Sequence, residues 1–100
     1  MTWEQKLQAC KSLKSGVCLH MRQPGDWYVA HDIEVKDGAF LKSTYGNGRS
    51  PQEAVDSHWQ ELTELRSDQY IVTHVLDASN KRIRKCYRWN VFMWKEVKED

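Results

Sequence analysis

The chain has 100 residues, of which 15 are Lys or Arg and 14 are Asp or Glu, so its formal net charge at pH 7 is +1. With 40% hydrophobic residues and only two prolines, it is not a disordered, collagen-like or strongly charged chain. A chain of this length buries one core, and we expect a single domain over residues 1–100. Its apolar runs are far shorter than the roughly 18 residues of a membrane-spanning helix.

The sequence shows neither the pattern of an N-terminal signal peptide nor the cysteine content of a disulfide-rich protein. Residues 1–16 mix charged and apolar residues and have no uninterrupted apolar centre. The three cysteines are an odd number without a C-x-x-C pair, which favours reduced thiols. We therefore expect a cytoplasmic protein that does not contact membranes.

The first half of the chain predicts one helix and three strands. Thr2 and Gln5 fit a capping box, and apolar residues then recur at helical spacing, which predicts a helix over 3–14. Alternation of apolar and polar residues predicts the strands that follow, and Asp37-Gly38 is a strong hairpin signal between two of them. The predicted strands are 17–22, 27–36 and 39–45.

The second half predicts a helix and a hairpin. Ser50 is a natural N-cap, Pro51 suits the first helical position, and Glu53 lies where a carboxylate reaches back to the cap, which predicts a helix over 51–66. Two further strands form a predicted hairpin over 69–95. The element order is α-β-β-β-α-β-β. It indicates an α+β fold whose mostly antiparallel sheet has about five strands, with the helices packed on the sheet.

Catalytic and metal-binding patterns are not recognisable in the sequence. His31 is in phase with the apolar residues of its strand, which predicts a buried histidine with a hydrogen-bond partner. The four histidines lack the i, i+4 spacing of a helical zinc motif, so we predict no metal site. A site assembled in space with Cys18 or Cys86 stays open. No nucleophile–base pattern is present, and we predict no catalytic residues, no cofactor and no enzymatic activity.

The segment before the second predicted helix is a candidate anion-binding loop. Its residues are Gly46, Asn47, Gly48 and Arg49. The start of a helix offers unpaired N–H groups, and Arg49 adds a positive charge. The favoured alternative is a tight connection whose glycines supply positive φ angles.

The last predicted strand combines basic and aromatic residues. Strand alternation places Arg84, Arg88, Phe92 and Trp94 on one face and assigns the opposite face to the core. The chain contains five Trp and four Tyr, residues that are common in binding hot spots, which favours a protein partner. We predict the following partner-binding residues: Arg82, Arg84, Lys85, Arg88, Phe92 and Trp94.

Two alternatives to this binding face stay open. The N-terminal helix could cover Phe92 and Trp94, which would make them part of the core. The basic residues from Lys81 to Arg88 could instead bind nucleic acid, although a net charge of +1 is low for that role.

Residues 27–62 resemble the core of HicB-type antitoxins. They combine a strand, an Asp-Gly turn, a second strand, a Gly-x-Gly loop and a helix that opens with Ser-Pro-x-Glu-Ala. The resemblance implies an α+β fold and an antitoxin-like regulatory role. However, two strands are predicted where that family carries a C-terminal DNA-binding module. The matching residues are Gly46, Gly48, Ser50, Glu53 and Ala54.

The short, tryptophan-rich chain is also similar in style to accessory proteins of bacteriophages and prophages. We therefore expect a phage-encoded, non-enzymatic binding protein that inhibits or modulates a host protein or defence complex. The alternative is a nucleic-acid-binding or antitoxin-like regulator. If the last strand lies at the sheet edge, a homodimer can form through its unpaired backbone groups.

Overall fold

The computed structural model describes residues 1–99 and confirms the α+β fold, with both helices packed on an antiparallel sheet. The described part of the sheet has six strands instead of the five predicted. No helix within residues 1–99 is long and apolar enough to cross a membrane. In chain order the elements are α1 (Trp3–Lys11), β1 (Val17–Gln23), β2 (Asp26–Asp37), β3 (Phe40–Gly48), α2 (Pro51–Thr63), β4 (Tyr70–Leu76), β5 (Arg82–Trp89) and β6 (Trp94–Val97).

The long strand β2 organises the sheet. β3 pairs along one of its edges, while β1 and β4 share the other edge, one beside each half of β2. Between the two halves the register shifts, because His31 lies opposite Thr44 and Glu34 lies opposite Ser43. Asp32, within this irregularity, donates its backbone N–H to the Gly16 carbonyl at 2.7 Å. The path β1-β2-β4-β5-β6 leaves β6 at an edge of the sheet, while β5, which holds most of the predicted contact residues, lies between β4 and β6. The homodimer through an edge strand stays a prediction.

Helix α1 begins as the sequence predicts but ends earlier. The capping box between Thr2 and Gln5 is present. The helix stops at Lys11, so the predicted range 3–14 is too long. Ser12 turns its hydroxyl back onto the Ala9 carbonyl at 2.6 Å, and the chain then leaves the helical path. Local side-chain hydrogen bonding of this kind competes with helix continuation.

Helix α2 also begins at its predicted residue. The Ser50 hydroxyl accepts the Glu53 N–H at 3.2 Å, and the Glu53 carboxylate accepts the Arg49 N–H at 2.7 Å. These bonds satisfy backbone donors that have no partner inside the helix. The predicted range 51–66 is too long, because Glu64 takes a ψ of 55° and ends the helix.

The predicted hairpin over 69–95 contains three strands, because its second predicted strand reverses direction. Asn90 donates its N–H to the Met93 carbonyl at 3.0 Å and closes a turn between β5 and β6. The Asn90 side-chain oxygen accepts the N–H groups of Phe92 and Met93 at 3.3 and 3.0 Å. Val91 takes a φ of 85° within this turn. Residues 90–93 contain no Gly or Pro, which explains why the sequence pattern did not predict this turn.

Two glycines of β3 allow α2 to pack directly on the sheet. A Cβ at Gly46 would lie 2.4 Å from the Ala54 carbonyl oxygen, and one at Gly48 would lie 2.4 Å from the Glu53 Cβ. Neither glycine has a positive φ angle. The sequence interpretation of these residues as a loop with positive φ is therefore wrong, since they are strand residues that leave room for a helix.

We expect Gly46→Ala to lower the free energy of unfolding by about 1–3 kcal/mol, the usual cost of overpacking a tight contact. Gly16→Ala is the matched control, because a Cβ there has no neighbouring atom within 4 Å. Urea denaturation of both variants measures the difference. Equal unfolding midpoints for the two variants would contradict the proposed reason for Gly46.

Candidate functional site

Three tryptophans form a cluster between α2 and the β5–β6 hairpin. The rings of Trp59, Trp89 and Trp94 meet edge to face, with centroids 4.9 to 5.7 Å apart. Trp94 also donates its indole N–H to the Ala9 carbonyl of α1 at 2.8 Å. Trp94 therefore joins α1, α2 and the hairpin, although it is only half-buried and still lines a surface groove with Phe92.

Two of the basic residues predicted to bind a partner, Arg84 and Arg88, make contacts within the protein. A guanidinium nitrogen of Arg84 lies 3.0 Å from a Glu99 carboxylate oxygen. The Arg88 guanidinium donates to the backbone carbonyls of Arg66 and Gln69, which closes the connection between α2 and β4. The shared cationic face that strand alternation predicted is therefore partly neutralised. Two other predicted contact residues are exposed: Arg82 and Lys85.

The turn Asn90–Met93, which we name the hairpin tip, presents three consecutive apolar side chains to solvent. Val91, Phe92 and Met93 are 72%, 87% and 60% exposed. The strand pattern assigned Val91 and Met93 to the core, and this assignment is wrong because the chain reverses there. The positive φ of Val91 is a strained conformation for a β-branched residue. Among the aromatic residues predicted to bind a partner, the structure therefore presents Phe92.

A groove of about 400 Å³ lies beside the hairpin tip, between the end of α1 and the β5–β6 hairpin. Polar and apolar atoms contribute about equally to its walls, and Phe92 and Met93 of the hairpin tip form part of one wall. The groove and the tip thus adjoin, and the sequence did not predict this groove. The lining residues are Ala9, Ser12, Leu13, Tyr87, Trp89, Phe92, Met93 and Trp94.

The predicted anion-binding loop is largely occupied by the protein's own groups. Gly46, Asn47 and Gly48 belong to β3, and the N–H of Arg49 is taken by the Glu53 carboxylate. The Asn47 side-chain oxygen accepts a hydrogen bond from Arg22 at 2.9 Å. The Glu53 carboxylate lies where an external anion would bind. The structure therefore gives the anion hypothesis no support, and the hypothesis stays a prediction.

Two histidines meet in the protein interior. His31 Nδ1 lies 3.0 Å from His58 Nε2, and both side chains are buried. Burial, followed by the neighbouring His58, lowers the pKa of His31 to about 3. Burial also lowers the pKa of His58 to about 4, against an opposite effect of the Tyr45 backbone. His31 is thus the buried, hydrogen-bonded histidine that the sequence predicts, while its partner on α2 was not foreseen.

Comparison of the chain with protein-family models, with curated proteins and with solved structures gives no significant match. The resemblance of residues 27–62 to HicB-type antitoxins therefore stays a prediction. What the structure itself defines is a small α+β domain with an exposed apolar hairpin tip.

We expect unequal effects on stability from removing two neighbouring aromatic side chains. Trp94→Ala should lower the free energy of unfolding by about 3 kcal/mol, because it removes packing in the tryptophan cluster and the bond to Ala9. Phe92→Ala should change it by less than about 0.5 kcal/mol, because that side chain is exposed. Thermal and urea denaturation test the pair. A stable Trp94→Ala protein would show that this residue is not structural.

We expect acid to destabilise the protein through the buried histidines. Their folded pKa values lie below the ordinary value of about 6.5, so the unfolded chain binds more protons. The contribution of the two histidines to the free energy of unfolding is therefore fully present above about pH 6.5. It falls as the pH drops toward 4, by up to about 1.4 kcal/mol per pH unit for each histidine.

Urea denaturation from pH 7 to pH 4 in the presence of EDTA measures this dependence. The variant His58→Gln should have a smaller slope with pH, while His20→Gln, which removes an exposed histidine, should keep the full slope. An unchanged slope in His58→Gln would assign the acid sensitivity to other groups.

Proposed function

We propose that this chain is a small, non-enzymatic protein-binding domain whose contact surface is the hairpin tip. The observation that carries this proposal is the exposure of Val91, Phe92 and Met93 side by side at the end of a hairpin. The partner surface that fits this shape is an apolar pocket, into which Phe92 inserts as the central side chain.

Burial of the exposed apolar side chains of the hairpin tip would contribute to binding. A phenylalanine that moves from solvent into a pocket contributes about 1.5–3 kcal/mol, and the flanking apolar residues add to this. A folded protein of this size has no need to expose three consecutive apolar side chains, and such patches mark interaction sites when they are contiguous. The backbone strain at Val91 points the same way, because strained conformations cluster at functional sites.

The tip is also held in a fixed shape before any partner arrives. The Asn90 side chain accepts two backbone N–H groups inside the turn, and the strands on either side end in Trp89 and Trp94 of the tryptophan cluster. A preformed contact loses less conformational entropy on binding than a flexible one. The hairpin tip therefore offers a rigid anchor of the kind that dominates protein interfaces.

The distribution of charge favours a protein partner over nucleic acid. Nucleic-acid binding requires free cations along one surface. Arg84 is paired with Glu99 and Arg88 is bonded to backbone carbonyls, which leaves the basic group reduced to the exposed Lys81, Arg82 and Lys85. The hairpin tip itself carries no charged residue. We further propose that the partner is a host protein that the domain inhibits or modulates, in the cytoplasm of a bacterial cell infected by a phage. The likeness to phage accessory proteins supports this extension.

The test compares two exposed phenylalanines at opposite hairpins. Phe92→Ser should weaken binding of the partner by about 30-fold, the effect of roughly 2 kcal/mol of lost apolar burial. Phe40→Ser is the matched control, because Phe40 is 72% exposed in the hairpin between β2 and β3. Both variants should unfold at nearly the wild-type temperature.

Partners are first captured from a nuclease-treated bacterial lysate with the wild-type chain, and the binding constant of each purified partner is then measured with all three proteins. Support requires loss with Phe92→Ser and retention with Phe40→Ser, at both low and high salt. The proposal fails if no protein is captured, or if a captured protein binds both variants equally. Recovery of nucleic acid with steep salt dependence would transfer the function to the basic residues.

A further inference from the structure

Three buried side chains with metal-binding atoms meet between the helices and the sheet. Cys10 comes from α1, His31 from β2 and His58 from α2, and one ligand atom from each lies within 4.8 Å of the other two. Their exposed fractions are 1%, 7% and 1%. The sequence left open a spatial site with Cys18 or Cys86, but the structure brings a different cysteine to the histidines.

The polar atoms of this cluster are poorly satisfied by the protein itself. The contact between His31 Nδ1 and His58 Nε2 uses one nitrogen of each ring. Within residues 1–99, the remaining nitrogens, His31 Nε2 and His58 Nδ1, make no hydrogen bond of normal geometry, although the Tyr45 backbone lies close enough to raise the pKa of His58. A buried polar atom without a partner costs about 1–3 kcal/mol. A metal bound by the two facing nitrogens leaves the outer two unpaired, so it is the facing pair and the Cys10 sulfur that define the site.

The spacing is close to what a tetrahedral zinc ion requires. Zn–N bonds of about 2.0 Å and a Zn–S bond of about 2.3 Å place two nitrogens about 3.3 Å apart and sulfur about 3.6 Å from nitrogen. The two imidazole nitrogens are now 3.0 Å apart and need to separate by only a few tenths of an ångström. The cysteine sulfur lies within 4.8 Å of a nitrogen of each ring, so it has to move inward by at most about 1.2 Å.

We propose that Cys10, His31 and His58 form a buried zinc site that fixes α1 to α2 and β2. One thiolate and two imidazoles form a ligand set that zinc prefers, and the fourth position is left for a water molecule or another small ligand. The inference uses none of the residues of the hairpin tip.

Protonation is compatible with this assignment. A ligating imidazole must be neutral, and burial keeps both histidines neutral at pH 7 by lowering their pKa values. Burial raises the pKa of Cys10 to about 12, so the free protein holds a thiol and zinc binding releases its proton. The thiolate charge is then compensated by the ion instead of being buried alone.

The ion has the greatest effect on α1. This helix has only nine residues and is too short to be stable by itself, so it depends on contacts with the rest of the protein. A bond from Cys10 to an ion held by His31 and His58 joins it to both main layers of the fold. Because the ligands are buried, zinc enters while the chain folds, and its binding energy becomes folding energy.

The test is refolding of the full chain from denaturant with one equivalent of Zn²⁺, with Mg²⁺ or with EDTA. We expect one zinc ion per chain after desalting and a melting temperature at least about 5 °C higher with Zn²⁺ than with EDTA, whereas Mg²⁺, which prefers oxygen ligands, changes neither. Refolding with Co²⁺ should give the absorption of a cobalt–thiolate bond.

The key variant is Cys10→Ser, which should lower zinc affinity by about 100-fold or more, since even loss of an outer-shell group costs 10–100-fold. The control is the double variant Cys18→Ser, His20→Gln. It removes the thiol and imidazole that share one face of β1 and that could bind zinc at the surface. This control should keep both the metal and the shift in melting temperature.

Several outcomes would overturn the proposal. These are absence of bound zinc in the wild type, equal affinity in Cys10→Ser, or loss of zinc in the surface double variant. If Cys10→Ser does not fold, the cobalt spectrum of the wild type decides, because a spectrum without a thiolate band excludes Cys10 as a ligand. In each case the cluster would be a hydrogen-bonded histidine pair beside a buried thiol.

Discussion

The close approach of α2 to β3 determines where the other parts of the protein lie. Gly46 and Gly48 remove the side chains that would hold the helix away, so the α2 backbone rests directly on the strand. As a result His58 reaches across to His31, and the next residue, Trp59, reaches the hairpin tryptophans. One steric constraint thus positions both the buried histidine pair and the support of the exposed tip.

The tryptophan cluster explains how a small domain can present a rigid apolar turn. Trp89 and Trp94 face each other across the β5–β6 ladder and both contact Trp59. Large buried aromatic surfaces contribute most to the stability of a small core. The hairpin is therefore fixed at its base, and the tip can remain exposed without losing its shape. Two residues of the tryptophan cluster thus flank the exposed turn within only six positions of the chain.

Local chemistry made much of the fold predictable. Ser50 and Pro51 indicated the start of α2, Asp37-Gly38 indicated a hairpin, and alternation indicated the strands. The β5–β6 reversal was not predictable, because Val91 takes a positive φ without a glycine and Asn90 holds the turn through its side chain. Of the candidate site, Phe92 was predicted from strand alternation, although it lies in the turn between β5 and β6 and not in a strand. The meeting of Cys10, His31 and His58 depends on tertiary packing, for which a single sequence contains no spacing signal.

Because β1 and β4 pair with the same edge of β2, the sheet consists of two groups of consecutive strands. β1, β2 and β3 form one meander and β4, β5 and β6 form another, and four residue pairs between β2 and β4 join them. Pairing within each meander is local and closes small loops, whereas the seam closes a large one. Because the seam residues Ile33, Ile71 and Thr73 are at most 2% exposed, the seam lies in the core, and we expect the two meanders to separate only when the core itself opens.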